Sequence, residues 1–415
     1  MKINRDLYLN KLIERKNNGL IKVITGIRRS GKSFLINVLY TEFLLKSGVT
    51  PDHIIQISME GFENIKYRNS KYTYEYIKGK LVDGDINYVI IDEVQMMDSF
   101  IEVLNGLMLL KNTDIYVTGS NSKFLSSDIV TEFRGRGDVI HIHPLRFAEV
   151  MTIYDDRDEA WDDFVNYGGM PLVFSYKTVE SKQEYLTNLF KTTYLTDVKD
   201  RNGLRNEDKL DDLVDVLASG IGSLTNPTKL ENTFKSEHKI SFSHNTISSY
   251  IEYLEDAYII SKAQRYDVKG NRYINSPYKI YFEDIGLRNA RLNFRQIDEG
   301  HILENIIYNE LIARGYRVDV GVVEVYGKDE NHKTIRVDYE VDFIVNRGSE
   351  RYYIQSAYEI SNAEKAIQEK RSLKTINDSF RKIIVVNGYM KPRVDNDGII
   401  QVGVINFLLE NNLLL

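Results

Sequence analysis

The sequence predicts an α/β protein: a P-loop three-layer sandwich with a central parallel sheet, then a helical and winged-helix region, then a C-terminal α/β domain. Three observations carry this. Gly26-Ile-Arg-Arg-Ser-Gly-Lys-Ser33 spells G-x-x-x-x-G-K-S between an apolar run, Leu20 to Thr25, and an apolar-periodic stretch, Phe34 to Leu45. A second apolar run, Tyr88 to Ile91, ends in Asp92-Glu93. Further on, the stretch 302–386 reads as helix, three strands, helix and strand.

The first motif explains itself physically. A strand aims the chain at a ligand, glycines let backbone N–H groups approach phosphate oxygens, and the following helix points its positive end at the same anion. Lys32 is a flexible charge able to reach β- and γ-phosphates, and Ser33 offers a hydroxyl to Mg²⁺. Gly26, Ser30, Gly31, Lys32, Ser33 and Phe34 are therefore expected at an ATP site. Ile54 to Met59 reads as a buried strand and Tyr72 to Val82 as a helix. The strand ending at Asp92-Glu93 supplies the second half: Asp92 to hold Mg²⁺ through water, and Glu93 to polarise the attacking water.

Ile115 to Thr118 is the next strand, and it runs into Gly119-Ser120-Asn121. Asn121 or Ser120 is either a sensor of the γ-phosphate or an ordinary helix cap. Ahead of the strand Val139 to Ile142, Arg136, with Arg134 in reserve, is either an arginine finger acting in cis or from a neighbouring subunit, or a solvated cation.

Together, Leu20 to Ser33, Tyr88-Val-Ile-Ile-Asp-Glu-Val-Gln95, Thr118-Gly-Ser-Asn-Ser122, Gly135-Arg136 and Pro144-Leu-Arg-Phe-Ala-Glu149 resemble the prokaryotic AAA-type ATPases that carry a C-terminal domain of undefined function. Tyr167-Gly-Gly-Met-Pro171 and Lys279 to Arg288 are similar to further stretches of that family, so the resemblance spans almost the whole chain. It implies ATP and Mg²⁺ as ligands, Arg28 and Arg29 in the loop, and Arg136 as the finger. Arg146 departs from the pattern, which usually has Ser there.

In the middle, Gly168-Gly169-Met-Pro171 reads as a chain reversal into a helical lid. Amphipathic helices follow at 185–198 and 209–217. Helices at 227–236 and 243–256, then strands at 258–266 and 272–281, give a winged-helix order. No Arg or Lys occurs within 243–256, and Glu252, Glu255 and Asp256 are acidic. A phosphate-lined groove would repel that face, which favours domain packing over DNA reading.

The C-terminal run of helix, strands, helix and strand resembles the PD-(D/E)XK nuclease core. In that frame Glu304 sits on the first helix, Asp342 on a strand, and the third motif falls on Tyr353-Ile-Gln-Ser-Ala357. Gln355 replaces the acid and Ala357 the lysine, so this reads as a degenerate site that has lost a metal ligand and the group stabilising developing charge.

At 415 residues the chain is long enough for several domains, expected at 1–165, 166–285 and 286–415. A net charge of −6 gives no global case for nucleic acid binding. Absence of cysteine removes disulfides, thiolate zinc sites and thiol nucleophiles. The charged start and the lack of any long apolar run predict a cytoplasmic protein with no membrane partner. The expected activity is Mg²⁺-dependent ATP hydrolysis coupled to movement of the C-terminal half, with DNA and further copies of the chain as candidate partners. Two alternatives stand beside it: a slow nucleotide switch with an inactive nuclease-like domain, and an ATP-dependent DNA nuclease.

Overall fold

Five strands form the first sheet: β1 (Ile21–Thr25), β2 (Ile54–Ser58), β3 (Asn87–Asp92), β4 (Thr113–Thr118) and β5 (Gly137–His141). All pair in parallel, in the order β2-β3-β4-β1-β5. The structure, a computed structural model, describes residues 2–119, 135–204, 207–239, 241–295, 298–328, 334–360 and 363–410.

Successive strand residues face opposite sides, and here both sides are buried. Val23, Val89 and Ile115 pack on one core with Ile77 of helix α3 (Ser70–Lys80) and Leu104 of α4 (Phe100–Met108). Ile24, Ile90 and Tyr116 pack on the other with Leu12 of α1 (Asp6–Glu14) and Leu39 of α2 (32–46). That is the three-layer sandwich expected. Helix α2 is continuous but passes through a π-helical stretch at Leu35–Tyr40, which lets Leu35, Ile36, Leu39, Tyr40 and Leu44 all reach the core.

The chain divides into two compact units: Met1–Leu145 with Met170–Ser175 and Asp256–Tyr258, and Arg146–Gly169 with Tyr176–Glu255 and Ile259–Leu415. The second contains helices α5 (Arg157–Tyr167), α6 (179–202), α7 (Glu207–Ser219), α8 (227–238) and α9 (His244–Asp256). It also contains an eight-stranded mixed sheet. Its strands are β6 (Ile260–Asp267), β7 (Arg272–Phe282), β8 (Arg317–Lys328), β9 (Thr334–Arg347), β10 (Glu350–Ala357), β11 (Arg381–Val386), β12 (Arg393–Val394) and β13 (Ile400–Gly403), in the order β12-β13-β11-β10-β9-β8-β6-β7.

Helix, turn, helix and hairpin occur in the expected order through α8, α9, β6 and β7. The hairpin does not stand free as a wing, because Arg265, Tyr266 and Asp267 of β6 pair in parallel with Val320, Gly321 and Val322 of β8. One sheet thus takes strands from both sides of residue 285. Helix α10 (Ile285–Arg291) follows the hairpin, then α11 (Glu299–Ala313), the antiparallel β8, β9 and β10, α12 (Ala363–Lys374) and β11 parallel to β10.

The two glycine-bearing stretches meet in this second unit. Asp284 caps α10 by accepting the Leu287 N–H at 3.0 Å and also accepts the Gly169 N–H at 2.6 Å. Gly168 has φ 69°, and a Cβ there would lie 2.3 Å from Asp284 Oδ1. A Cβ on Gly286 would lie 2.0 Å from the Tyr167 carbonyl oxygen. Arg146 is buried here too: its guanidinium grips Glu310 through Nε at 3.0 Å and through Nη2, while Arg314 Nε holds the same carboxylate at 2.6 Å. Burial alone would raise the Glu310 pKa, yet Arg314 and Arg146 hold it below the usual range.

Candidate functional site

The loop leaves the C-terminal end of β1. Gly26 has φ 137°, and a Cβ there would fall 2.1 Å from the Ile142 carbonyl oxygen, so this close approach requires glycine. Gly31, at φ 96°, begins α2. Arg28, Arg29 and Phe34 are exposed around the rim, and Ser30 is buried beneath. Lys32 is buried, and its Nζ donates to the Gly26 and Ile27 carbonyls at 3.0 Å each. Burial pulls the Lys32 ammonium down to about 8, against the raising effect of Glu93 and Asp92. A cation folded onto carbonyls in a low-dielectric loop is one that phosphate oxygens can take over.

Ser33 Oγ donates to Asp92 Oδ1 at 2.9 Å, so the hydroxyl and carboxylate expected at Mg²⁺ lie together. This all-oxygen pair fits a hard divalent cation. Two residues not singled out from sequence complete the arrangement. Thr118, at the end of β4, donates its hydroxyl to Asp92 Oδ1 and accepts the Glu93 N–H at 3.0 Å. Asn37, one turn along α2, donates to Asp92 Oδ2 at 3.4 Å. Glu93 sits at φ 55°, a left-handed conformation held by the Thr118 contact, and its carboxylate accepts from Gln95 Nε2. Thr118 was legible as the end of an apolar strand; its role depends on β4 lying beside β3.

Beside Gly31 opens a cavity of about 260 Å³ lined by Ile3, Arg5, Phe34, Leu145, Pro171 and Leu172. Arg5 fixes its near wall by donating to the Ser30 carbonyl at 2.9 Å and the His143 carbonyl at 2.7 Å. Its apolar lining and its place next to the phosphate loop suit a flat heterocycle. Phe34 is the expected nucleotide contact and Pro171 belongs to the expected turn.

Arg136 is the candidate finger. It is exposed at the N-terminal end of β5, where its carbonyl accepts the Ile21 N–H at 2.9 Å. Strands β1 and β5 are in register from Ile21 and Gly137 to Thr25 and His141, and the phosphate loop begins beyond Thr25. Arg136 falls opposite Leu20, six residues before Gly26, which at about 3.3 Å each puts its backbone roughly 20 Å further down the sheet than the loop's start. Ser120, Asn121 and Arg134 lie outside the described residues.

A second cluster forms where the degenerate nuclease site was expected. Glu304 on α11 and Asp342 on β9 come together, both buried. Gln355 on β10 is adjacent, its Oε1 3.4 Å from the Asp342 N–H, and Ser356 N–H donates to Asp342 Oδ2 at 2.8 Å. Between the acids lies an unexpected group, the Lys279 ammonium of β7. It is 2.8 Å from Glu304 Oε1, 2.7 Å from Glu340 Oε1 and 3.6 Å from Asp342 Oδ1. Burial would lower the Lys279 pKa, but the three carboxylates outweigh it and hold the group well above its usual value. Burial and the neighbouring Glu304 push Asp342 up. With three carboxyls around one ammonium, a proton retained on Asp342 reduces the excess negative charge.

Among the described residues no helix is long and apolar enough to cross a membrane. Residues 18–151 match the family described as AAA domain, and residues 158–298 and 299–406 match two families each described as a domain of unknown function (DUF8612 and DUF4143). The chain is 32% identical to an uncharacterized protein of Haemophilus influenzae, over 98% of this chain and 99% of that one. It is 30% identical to an uncharacterized protein of Methanocaldococcus jannaschii, over 95% and 88% respectively. Among solved structures, the Aeropyrum pernix ORC1 protein in complex with DNA covers 70% of this chain and 92% of its own, at 11% identity and a TM-score of 0.33. Likeness at that level carries no further conclusion. The full-length relatives, the AAA match and the phosphate loop in its parallel sheet together place the chain in a family of AAA-type P-loop ATPases whose AAA domain is followed by two domains of unknown function.

Proposed function

We propose that the protein binds ATP with Mg²⁺ and hydrolyses it with Glu93 as the base that aligns water, and that nucleotide state is passed to the second unit. The observation that carries the proposal is the Ser33, Asp92, Thr118 and Glu93 chain of hydrogen bonds beside Lys32. Lys32 would draw the β- and γ-phosphates into the loop. Ser33 and Asp92 would hold Mg²⁺, which when bound offsets phosphate charge. The αL backbone of Glu93, tied to Thr118, fixes where its carboxylate can face a water.

Transmission has a covalent route. Met170–Ser175 belongs to the first unit while Gly169 and Tyr176 on either side belong to the second. Pro171 and Leu172 line the cavity beside Gly31, and Gly169 is held by Asp284. A base seated in the cavity would bear on Pro171 and so on the clasp at Gly169.

Lys32→Ala should abolish tight ATP binding, and Glu93→Gln should keep binding while stopping turnover. Continued steady-state hydrolysis by Glu93→Gln would remove Glu93 as the base. A switch reading competes, because the Glu93 carboxylate is engaged by Gln95. Single-turnover against steady-state rates separate the two: a switch hydrolyses once and releases slowly.

A further inference from the structure

We propose that Lys279 is a built-in cation occupying a divalent-metal pocket, and that its presence closes the C-terminal α/β domain to metal ions. The inference rests on the reading of that domain as nuclease-like with a dismantled site, and it explains what closes the site.

The pocket gathers three acids around one cation. Carboxylate oxygens from three side chains on two elements, Glu304 from α11 and Glu340 and Asp342 from β9, converge within 2.7 to 3.6 Å of one atom. That atom is the nitrogen of a side chain only 3% exposed. Among the described residues Lys279 is the cation that pairs with these acids. The oxygens are also oriented from behind, as ligand oxygens in metal sites are. Tyr281 hydroxyl donates to Glu304 Oε1 at 2.5 Å, and the Ser356 N–H fixes Asp342 Oδ2.

The source of the lysine is what makes the occupancy specific. Lys279 and Tyr281 are two apart on β7, so both side chains leave the same face of the hairpin and meet Glu304. The hairpin reaches the acids only because β6 pairs with β8 and joins the sheet. Tyr281 stacks on Tyr308 with ring centroids 4.2 Å apart, walling this side of the pocket. Hard divalent cations bind oxygen at roughly 2.0–2.6 Å. With the ammonium gone the three acids would have to draw closer to one another to share such an ion, whose second charge suits them better than one ammonium does. With Lys279 in place, a metal would have to expel a buried charge from its partners.

The test uses Mn²⁺ titration of the full chain without nucleotide, read by isothermal calorimetry and electron paramagnetic resonance. Wild type, Lys279→Ala, and Lys279→Ala combined with Asp342→Asn are compared. Wild type should show no Mn²⁺ site sensitive to Asp342→Asn. Lys279→Ala should gain one, and adding Asp342→Asn should weaken it by roughly 10–100-fold, the scale at which support of a metal site is lost. Should Lys279→Ala fold poorly, its melting temperature in millimolar Mn²⁺ decides: recovery that Asp342→Asn abolishes supports the proposal, and no recovery overturns it. Asp342-dependent Mn²⁺ binding in wild type, or a folded Lys279→Ala that gains no site, also overturns it. The parent reading fails separately, if wild type cuts plasmid DNA and Asp342→Asn stops it.

Discussion

Lys32 is where the chemistry of this protein is most exposed to pH. Its ammonium is lowered to about 8 by burial, so the free loop gives up a proton above that pH although the side chain of an unfolded chain would keep it to about 10.5. Two consequences follow, with opposite signs. Folding stability from this group rises with pH between about 8 and 10.5, because only the unfolded chain still binds the proton there. ATP affinity falls over the same range, since phosphate needs the ammonium and binding must take the proton back up. The dissociation constant should rise by about one decade per pH unit above pH 8 and be flat below it. Titration calorimetry in buffers of different ionisation enthalpy would detect the proton uptake, and a pH-independent affinity up to pH 10 would rule out this account. Lys32, Ser33, Asp92 and Glu93 were legible in the sequence because loop and strand-end motifs fix the chemistry locally. Thr118, Arg5 and Lys279 were not, because each acquires its partners only when distant strands are laid side by side.

At the scale of elements, two buried polar clusters set how helices join strands. Asp284 satisfies one N–H at the start of α10 and another at the Gly168–Gly169 reversal. Removing the carboxylate strands both donors, so Asp284→Ala should cost about 2–4 kcal/mol in denaturant unfolding. Arg146, the departure from the family pattern, belongs to an Arg146, Glu310 and Arg314 triad with its carboxylate 3% exposed. Arg146→Ser leaves Glu310 paired with Arg314 and should destabilise by about 1.5–3 kcal/mol, the scale for losing hydrogen bonds to a charged group. If the loss were under 1 kcal/mol, as at a surface pair, the triad would not be holding this region together. Most strands and the amphipathic helices that were named were readable from periodicity to within a few residues, whereas α4, α5, α10, β12 and β13 were not named. The pairing of β6 with β8 was not, since register between strands some fifty residues apart leaves no local mark. For the same reason Lys22 passed unnoticed inside an apolar run, though it is buried in β1 against Asp114 of β4.

At the scale of the molecule, the fold class was legible because alternation of apolar strands and helices requires a sheet covered on both faces, whereas assembly leaves no such pattern. Arg136 brings assembly into view. It is exposed at the end of the sheet opposite the phosphate loop, and β1 and β5 run in register between them. If Arg136 is a finger, that separation favours service to the loop of another copy. The two ends of one sheet are different surfaces, so such a contact is head-to-tail and makes a ring or an open filament rather than a two-fold dimer. Each copy would then contribute an ATP-binding face and a finger face that can be inactivated separately. Lys32→Ala removes the first and leaves the second; Arg136→Ala does the reverse. Mixing the two inactive variants should restore part of the ATPase activity, because Lys32→Ala copies lend Arg136 to the intact loops of Arg136→Ala copies. Wild-type specific activity should rise with protein concentration until assembly saturates. An inactive mixture, together with wild-type specific activity that is independent of concentration, would leave Arg136 as a solvated cation at the foot of the sheet.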